Sequence, residues 1–384
     1  MNKVSNKRLL LITFGNTKYD GRLNILIGTL QRFFFITTLS PFKDSLPLRT
    51  KSLIFLSWHS RDAISRFFKM IFLTARQIKK ADLIFIDNRK ASALFYCINL
   101  FIRTDKVVIQ DMREFYTTFE TYSLYSKIGT CFEHLQAKNS NLVIVCNDYR
   151  KRLLSALLPI KKIIVFENKR ALVDGFLSPL QKNDLIDSIK GGKIYLDKEK
   201  INFISTGGIN FKRGCGDIIK AVKKRSEARL FFIGKASQHD LIEFNRMTVD
   251  CKNIFYLGEI PYTSLAELLS RMDVGVVNYA MDNLNNRYCA SGKVYEYLSI
   301  GIPILSTSNK PLLKTIKKYN CGINCYSFDT GIDKMISSHM IFRNNINQNS
   351  IQSHIKNYNQ NFGNLILDAL NINLKLKSDP QGIK

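Results

Sequence analysis

The sequence predicts two doubly wound α/β units in tandem, and three observations carry that fold class. Its 384 residues are about twice what one hydrophobic core organises. Short runs of Ile, Val, Leu and Phe alternate with longer amphipathic stretches, first over residues 1–170 and again from residue 201. Between the two series the pattern loosens over residues 171–200, with Pro179, Gly191-Gly192 and scattered charge.

In the first series, apolar runs at 9–14, 33–39, 53–57, 83–86, 106–109, 142–146 and 163–166 read as strands buried on both faces. Helical patterns at 21–32, 64–80, 91–103 and 113–138 lie between them. In the second, strands are expected at 201–206, 229–233, 253–257, 274–278, 303–306 and 323–325. Helices are expected there at 214–225, 240–246, 264–270, 292–299 and 310–319. Alternating β and α elements imply parallel sheets covered on both faces. The implied domains are 1–170, a junction at 171–200, a second domain at 201–343, and a helical segment at 344–384 crossing back to brace the first. Ligands of such sheets bind at the carboxyl ends of the strands, so a cleft between the two units is the expected site.

Within residues 64–80, Ile64, Phe67, Phe68, Ile71, Phe72, Ala75 and Ile78 follow i, i+3, i+4, i+7 spacing and are expected in the core. Arg66, Lys69, Arg76 and Lys80 would face outward with Met70 and Leu73 among them, a face that suits an anionic membrane surface.

Composition narrows the function. With 45% hydrophobic and 23% charged residues the chain is not disordered. Lys and Arg number 57 against 31 Asp and Glu, a net +26 that calls for an anionic partner. Residues 1–170 hold +17 of it, 29 basic against 12 acidic. No aromatic–basic recognition motif or Cys/His finger accompanies the charge, which argues against nucleic acid. The eight cysteines include no CxxC pair and read as reduced and structural. No apolar stretch reaches the ~18 residues of a spanning helix, and the run at 9–14 ends at Gly15-Asn16, unlike a signal peptide. The expected location is cytoplasmic, peripheral at the cytosolic face of the inner membrane.

Chemistry concentrates in residues 289–303, CASGKVYEYLSIGIP. Ser291 and Gly292 follow the strand at 274–278, and Lys293 and Glu296 open a helix that Gly301-Ile302-Pro303 ends. Backbone N–H groups at a helix start beside a lysine suit a diphosphate, and a carboxylate one turn on can accept both hydroxyls of a ribose. Ser-x-Lys-x-x-Glu-Tyr-Leu-x-x-Gly-x-Pro resembles the donor-site signature of the group-1 glycosyltransferases, a nucleotide-sugar-dependent family with the GT-B fold. Residues 203–222, FISTGGINFKRGCGDIIKAV, resemble that family's first donor-domain strand, glycine-rich loop and helix. There Gly207 and Gly208 permit close backbone approach, and Lys212 and Arg213 precede the helix.

The resemblance covers roughly residues 202–327 and implies a GT-B fold with retention of anomeric configuration. It implies Arg213 and Lys293 as the groups neutralising a departing diphosphate. Lys212, Gly258, Asn278, Tyr279, Ser291, Gly292 and Glu296 would join Gly207 and Gly208 around the donor. On the acceptor side, Gly15 and Asn16 after the first strand, and Asp111 and Glu114 in a later loop, occupy the matching positions. Tyr288 stands where many members have an earlier glutamate. No two of the 21 aspartates are spaced D-x-D, so no metal and no cofactor are expected. The implied partners are a nucleotide-diphosphate sugar and a saccharide or lipid-linked acceptor of surface polysaccharide or lipopolysaccharide assembly. A nucleic-acid-binding protein and a nucleotide-sugar epimerase or phosphorylase on the same fold are the competing readings.

Overall fold

The computed structural model of the protein describes residues 7–16, 20–42, 53–57, 59, 63–121, 123–172, 199–260 and 262–372. Two compact units divide the chain, residues 1–168 with 357–384 and residues 169–356. Most of the junction placed at 171–200, and the end of the segment placed at 344–384, lie outside the described residues.

Unit 1 is built on β1 (Arg8–Thr13), β2 (Phe35–Ser40), β3 (Leu53–Ser57), β4 (Leu83–Asp87), β5 (Val107–Met112), β6 (Leu142–Val145) and β7 (Ile163–Val165). They form one sheet in the order β3-β2-β1-β4-β5-β6-β7, parallel throughout. Every residue of β4 is buried, which is why the central strands read as unbroken apolar runs rather than alternating ones. The helices are α1 (Gly21–Leu30), α2 (Ala63–Lys80), α3 (Arg89–Ile102), α4 (Leu124–Asn139) and α5 (Asp148–Leu157). Strand order reverses between β1 and β4, the point where such sheets open for ligands.

Two expectations need correction here. The helix expected at 113–138 begins only at Leu124, because Ser123 caps it by accepting from the Ser126 N–H at 3.1 Å. In α2, Phe67, Phe68 and Phe72 are exposed, whereas Thr74 and Ile78 are buried and Met70 and Leu73 pack on the core. The helix carries two apolar stripes a few residues out of phase, and periodicity alone does not choose between them.

Unit 2 holds β8 (Ile201–Ser205), β9 (Ala228–Phe232), β10 (Ile254–Tyr256), β11 (Val274–Val277), β12 (Ile304–Thr307) and β13 (Gly322–Cys325). The parallel order is β10-β9-β8-β11-β12-β13. A short 3-10 turn, Phe211–Arg213, precedes α6 (Cys215–Lys223); α7 (Gln238–Thr248), α8 (Tyr262–Ser270), α9 (Leu284–Arg287), α10 (Lys293–Ser299), α11 (Lys310–Tyr319) and α12 (Phe328–Asn345) follow. Helix α12, absent from the sequence reading, buries Phe328, Ile332 and Met335 against this sheet.

The last helix, α13 (Gln348–Ala369), begins in unit 2 and ends in unit 1. Its Phe362, Ile366 and Leu367 share a core with Leu9, Leu26 and Phe33. Phe166 stacks between Phe362, 3.6 Å between ring centroids, and Tyr358 at 5.7 Å.

Candidate functional site

In unit 2 the strand order reverses between β8 and β11, so the loops that leave their carboxyl ends border one opening. Helix α10 is pinned beside it by Tyr297, whose fully buried ring lies on Gly275 of β11, where a Cβ would overlap it. The Tyr297 hydroxyl donates to the Ile204 carbonyl at 3.2 Å and accepts from the Thr206 N–H at 3.1 Å. Sheet and helix are thereby locked at the level of the β8 loop.

That loop is shaped by two glycines. Gly208 has φ +71°, and a Cβ there would strike the Lys235 carbonyl; at Gly207 a Cβ would strike the Lys293 ammonium. Lys293 thus rests its charged end on the bare backbone of residue 207. Burial pushes this ammonium down to about 8 from the usual lysine range; Arg213 and Arg170 add repulsion, and Glu296 opposes them. Arg213 and Glu296, apart in sequence, therefore both act electrostatically on Lys293.

Arg170 is the member that sequence reasoning missed. Its guanidinium pairs with Glu296 Oε1 at 2.9 Å and lies across Gly292, where a Cβ would come within 2.5 Å of Nε. The segment carrying it is tied to α10 by the Leu172 N–H, which donates to Ser299 Oγ at 3.0 Å. Nothing local marks Arg170, since its partner lies more than a hundred residues on; the only sequence signal was the glycine at 292, which leaves room for it. Replacing Arg170 by Ala should leave a buried carboxylate unpaired and cost about 2–4 kcal/mol. Urea denaturation of R170A, E296Q and the double variant checks this, the double being more stable than R170A.

The other predicted positions divide. Ser291 Oγ and Arg170 Nε are buried without a hydrogen-bond partner among the described residues, two open donors beside Gly292. Asn278 uses its amide to donate to the Arg213 carbonyl at 3.0 Å, and Tyr279 lies under the Arg213 guanidinium at 5.8 Å. These two hold Arg213 rather than stand free. Gly258 has φ +75°, accepts from the Gly234 N–H at 2.8 Å and faces open space. Lys212 is exposed on the 3-10 turn. Among the described residues no three His, Cys, Asp or Glu side chains are grouped to hold a metal ion.

In unit 1, Gly15 donates its N–H to Thr13 Oγ1 at 2.8 Å, and the Asn16 carbonyl accepts from Asp20 at 2.9 Å. Asp111, expected on an open loop, is instead inside β5, in register with Asp87 of β4. It is buried and accepts from two of the three Arg22 guanidinium nitrogens, at 2.8 and 3.0 Å, and so is not open to an acceptor. Arg113 joins Asp87 and Asp20. Burial lifts Asp87 to about 6, with Arg113 lowering and Asp111 and Asp20 raising it. Glu114 is exposed. It adds to the effect of burial in pushing Glu133 up to about 8, against the pull of Arg89.

No family model matches the chain and no curated protein matches it, but solved structures do. Sucrose-phosphate synthase from Thermosynechococcus elongatus superimposes with a TM-score of 0.74 over 96% of this chain and 100% of its own, at 12% identity. Anabaena HepE, in complex with UDP and glucose, reaches 0.73 over 94% and 99%, also at 12%. WaaG, a glycosyltransferase involved in lipopolysaccharide biosynthesis, reaches 0.60 over 93% and 95%, at 13%. The fold is GT-B. Its second GT-B unit carries the cationic cluster, and its first carries the buried Asp–Arg network.

Proposed function

We propose that the protein transfers a sugar from a nucleotide-diphosphate sugar to a saccharide or lipid-linked acceptor. The observation that carries this reading is the charge of the α10 cluster. Lys293 interacts with Arg213, Arg170 and Glu296, Arg170 pairs with Glu296, and Ser291 Oγ and Arg170 Nε keep donors to spare. A site two charges positive, with a buried ammonium and unsatisfied donors, is complementary to a diphosphate.

As the sugar–phosphate bond breaks, Arg213 and Lys293 would neutralise the departing diphosphate, while the acceptor hydroxyl bonds to the anomeric carbon and its proton passes to the leaving phosphate. Glu296 would hold the ribose hydroxyls on the oxygen that Arg170 leaves free. Gly207, Gly208 and Gly258 would let backbone approach the nucleotide, with Lys212 near the phosphates. Gly15, Asn16 and Glu114 of the first unit would face the acceptor. The same basic groups would replace a metal, and the configuration would be retained. Likeness to WaaG supports lipopolysaccharide or other surface polysaccharide assembly as the setting, and likeness to HepE supports a uridine diphosphate donor.

The test is nucleoside diphosphate release from UDP- and GDP-sugars with and without saccharide acceptors. Arg213→Ala should lower kcat/KM about 10²–10³-fold, and EDTA should leave the rate unchanged. Altered sugar formed without acceptor would favour the epimerase reading, and activity lost to EDTA and restored by Mn²⁺ would overturn the metal-free site.

A further inference from the structure

In unit 1 the strand order sends the crossovers β3→β4, β4→β5 and β5→β6 in one direction across the sheet. Right-handed connection then puts α2, α3 and α4 on the same face, opposite α1. The cores agree. Ile78 of α2 shares a cluster with Ala91, Phe95 and Ile98 of α3, while Leu23 and Leu26 of α1 belong to another. Each helix starts at the carboxyl end of the strand before it, so the first turns of all three rise from one edge, the edge that also carries Gly15, Asn16 and Glu114.

That edge is unusually apolar for an outer surface. Phe67 (54% exposed), Phe68 (65%) and Phe72 (62%) stand on the first half of α2. Leu124 (73%) and Tyr125 (78%) open α4, with Phe119 (95%) in the loop before it. Monomeric proteins rarely leave large side chains grouped this way without an occupant. Basic residues are interleaved: Lys69 between Phe68 and Phe72, Lys90 at the start of α3, and Lys127 beyond Tyr125, all exposed. The three helices carry nine Lys or Arg and one acid, Glu133, which is buried. Of the two glutamates in the loop before α4, Glu120 is bound to Thr117, at 3.0 and 3.1 Å, leaving Glu114 as the exposed acid.

We infer that the first halves of α2 and α4 form a docking surface for an anionic lipid bilayer. Rings entering the headgroup region, with lysines level with the lipid phosphates, match both the apolar and the charged parts of the patch. A second copy of this chain would bring like charges together, and a nucleic acid would leave Phe67, Phe72 and Leu124 without an apolar partner. The surface belongs to the first unit alone and stands whether or not the sugar-transfer reading holds. Docked this way, the loops at residues 15–16 and 114 lie at the membrane face, where a lipid-carried molecule would be presented.

Sedimentation of the full chain with vesicles tests it. The chain should pellet with phosphatidylcholine vesicles containing phosphatidylglycerol, and at least tenfold less with phosphatidylcholine alone or in 0.5 M salt. F67S/F68S/F72S and K69E/K127E should each lower the bound fraction at least tenfold while keeping the wild-type circular dichroism. Phe101→Ser, at the far end of α3 and 88% exposed, should bind as wild type. No vesicle binding, equal binding to neutral vesicles, or an equal loss in F101S would overturn the inference. So would a patch variant that changes only self-association or only nucleic-acid binding.

Discussion

Lys293→Met should yield a protein that is harder to unfold and nearly blind to nucleoside diphosphates. The ammonium is held at about 8 because burial and two guanidiniums oppose its charge. The folded state therefore holds the proton less tightly than the unfolded chain does. The penalty is present in full below pH 8 and is relieved as pH rises toward the ordinary value of 10.5. Removing the charge should raise the apo unfolding midpoint at pH 7 by about 2–6 °C and flatten its alkaline pH dependence. A bound diphosphate favours the charged form, so wild-type affinity should fall once pH passes about 8, by up to tenfold per unit. In K293M that dependence should vanish, with affinity about 100-fold weaker. Thermal scans from pH 6 to 10, with and without UDP or GDP, read both effects. A variant less stable than wild type with undiminished affinity would remove Lys293 from the site.

Adjacent glycines should respond in opposite ways. Gly208→Ala forces a side chain onto φ +71° and into the Lys235 backbone, where nothing can yield without moving the loop after β8 or the loop after β9. A loss of more than about 3 kcal/mol is expected. Gly207→Ala meets only the far end of a flexible lysine. That protein should fold within about 1 kcal/mol of wild type, while its displaced ammonium lowers diphosphate affinity about 10–100-fold. Urea unfolding and calorimetric titration of the pair separate a structural glycine from one that makes room for a charge.

The readable parts of this chain are those that depend on neighbours in sequence. Buried parallel strands need continuous apolar runs, so all thirteen described strands fall on runs visible beforehand. The turn glycines and the Lys293–Glu296 helix were visible for the same reason. What escaped depends on partners far apart. Asp111 reads in sequence as a loop carboxylate because its partner Arg22 lies 89 residues earlier. Arg170 had no local feature to set it apart from 56 other basic residues. The facing of α2 was undecidable because Phe67, Phe68 and Phe72 have the same periodicity whether they meet a sheet or solvent.

The ring stack of Phe166 on Phe362 has a consequence for synthesis. During translation, residues 1–168 emerge first, yet their unit lacks one wall of its interior until Phe362, Ile366 and Leu367 have been made. The second, contiguous from 169 to 356, can finish while still attached to the ribosome. The order of completion should therefore run opposite to the order of emergence, and the leading half must be kept from aggregating in the meantime.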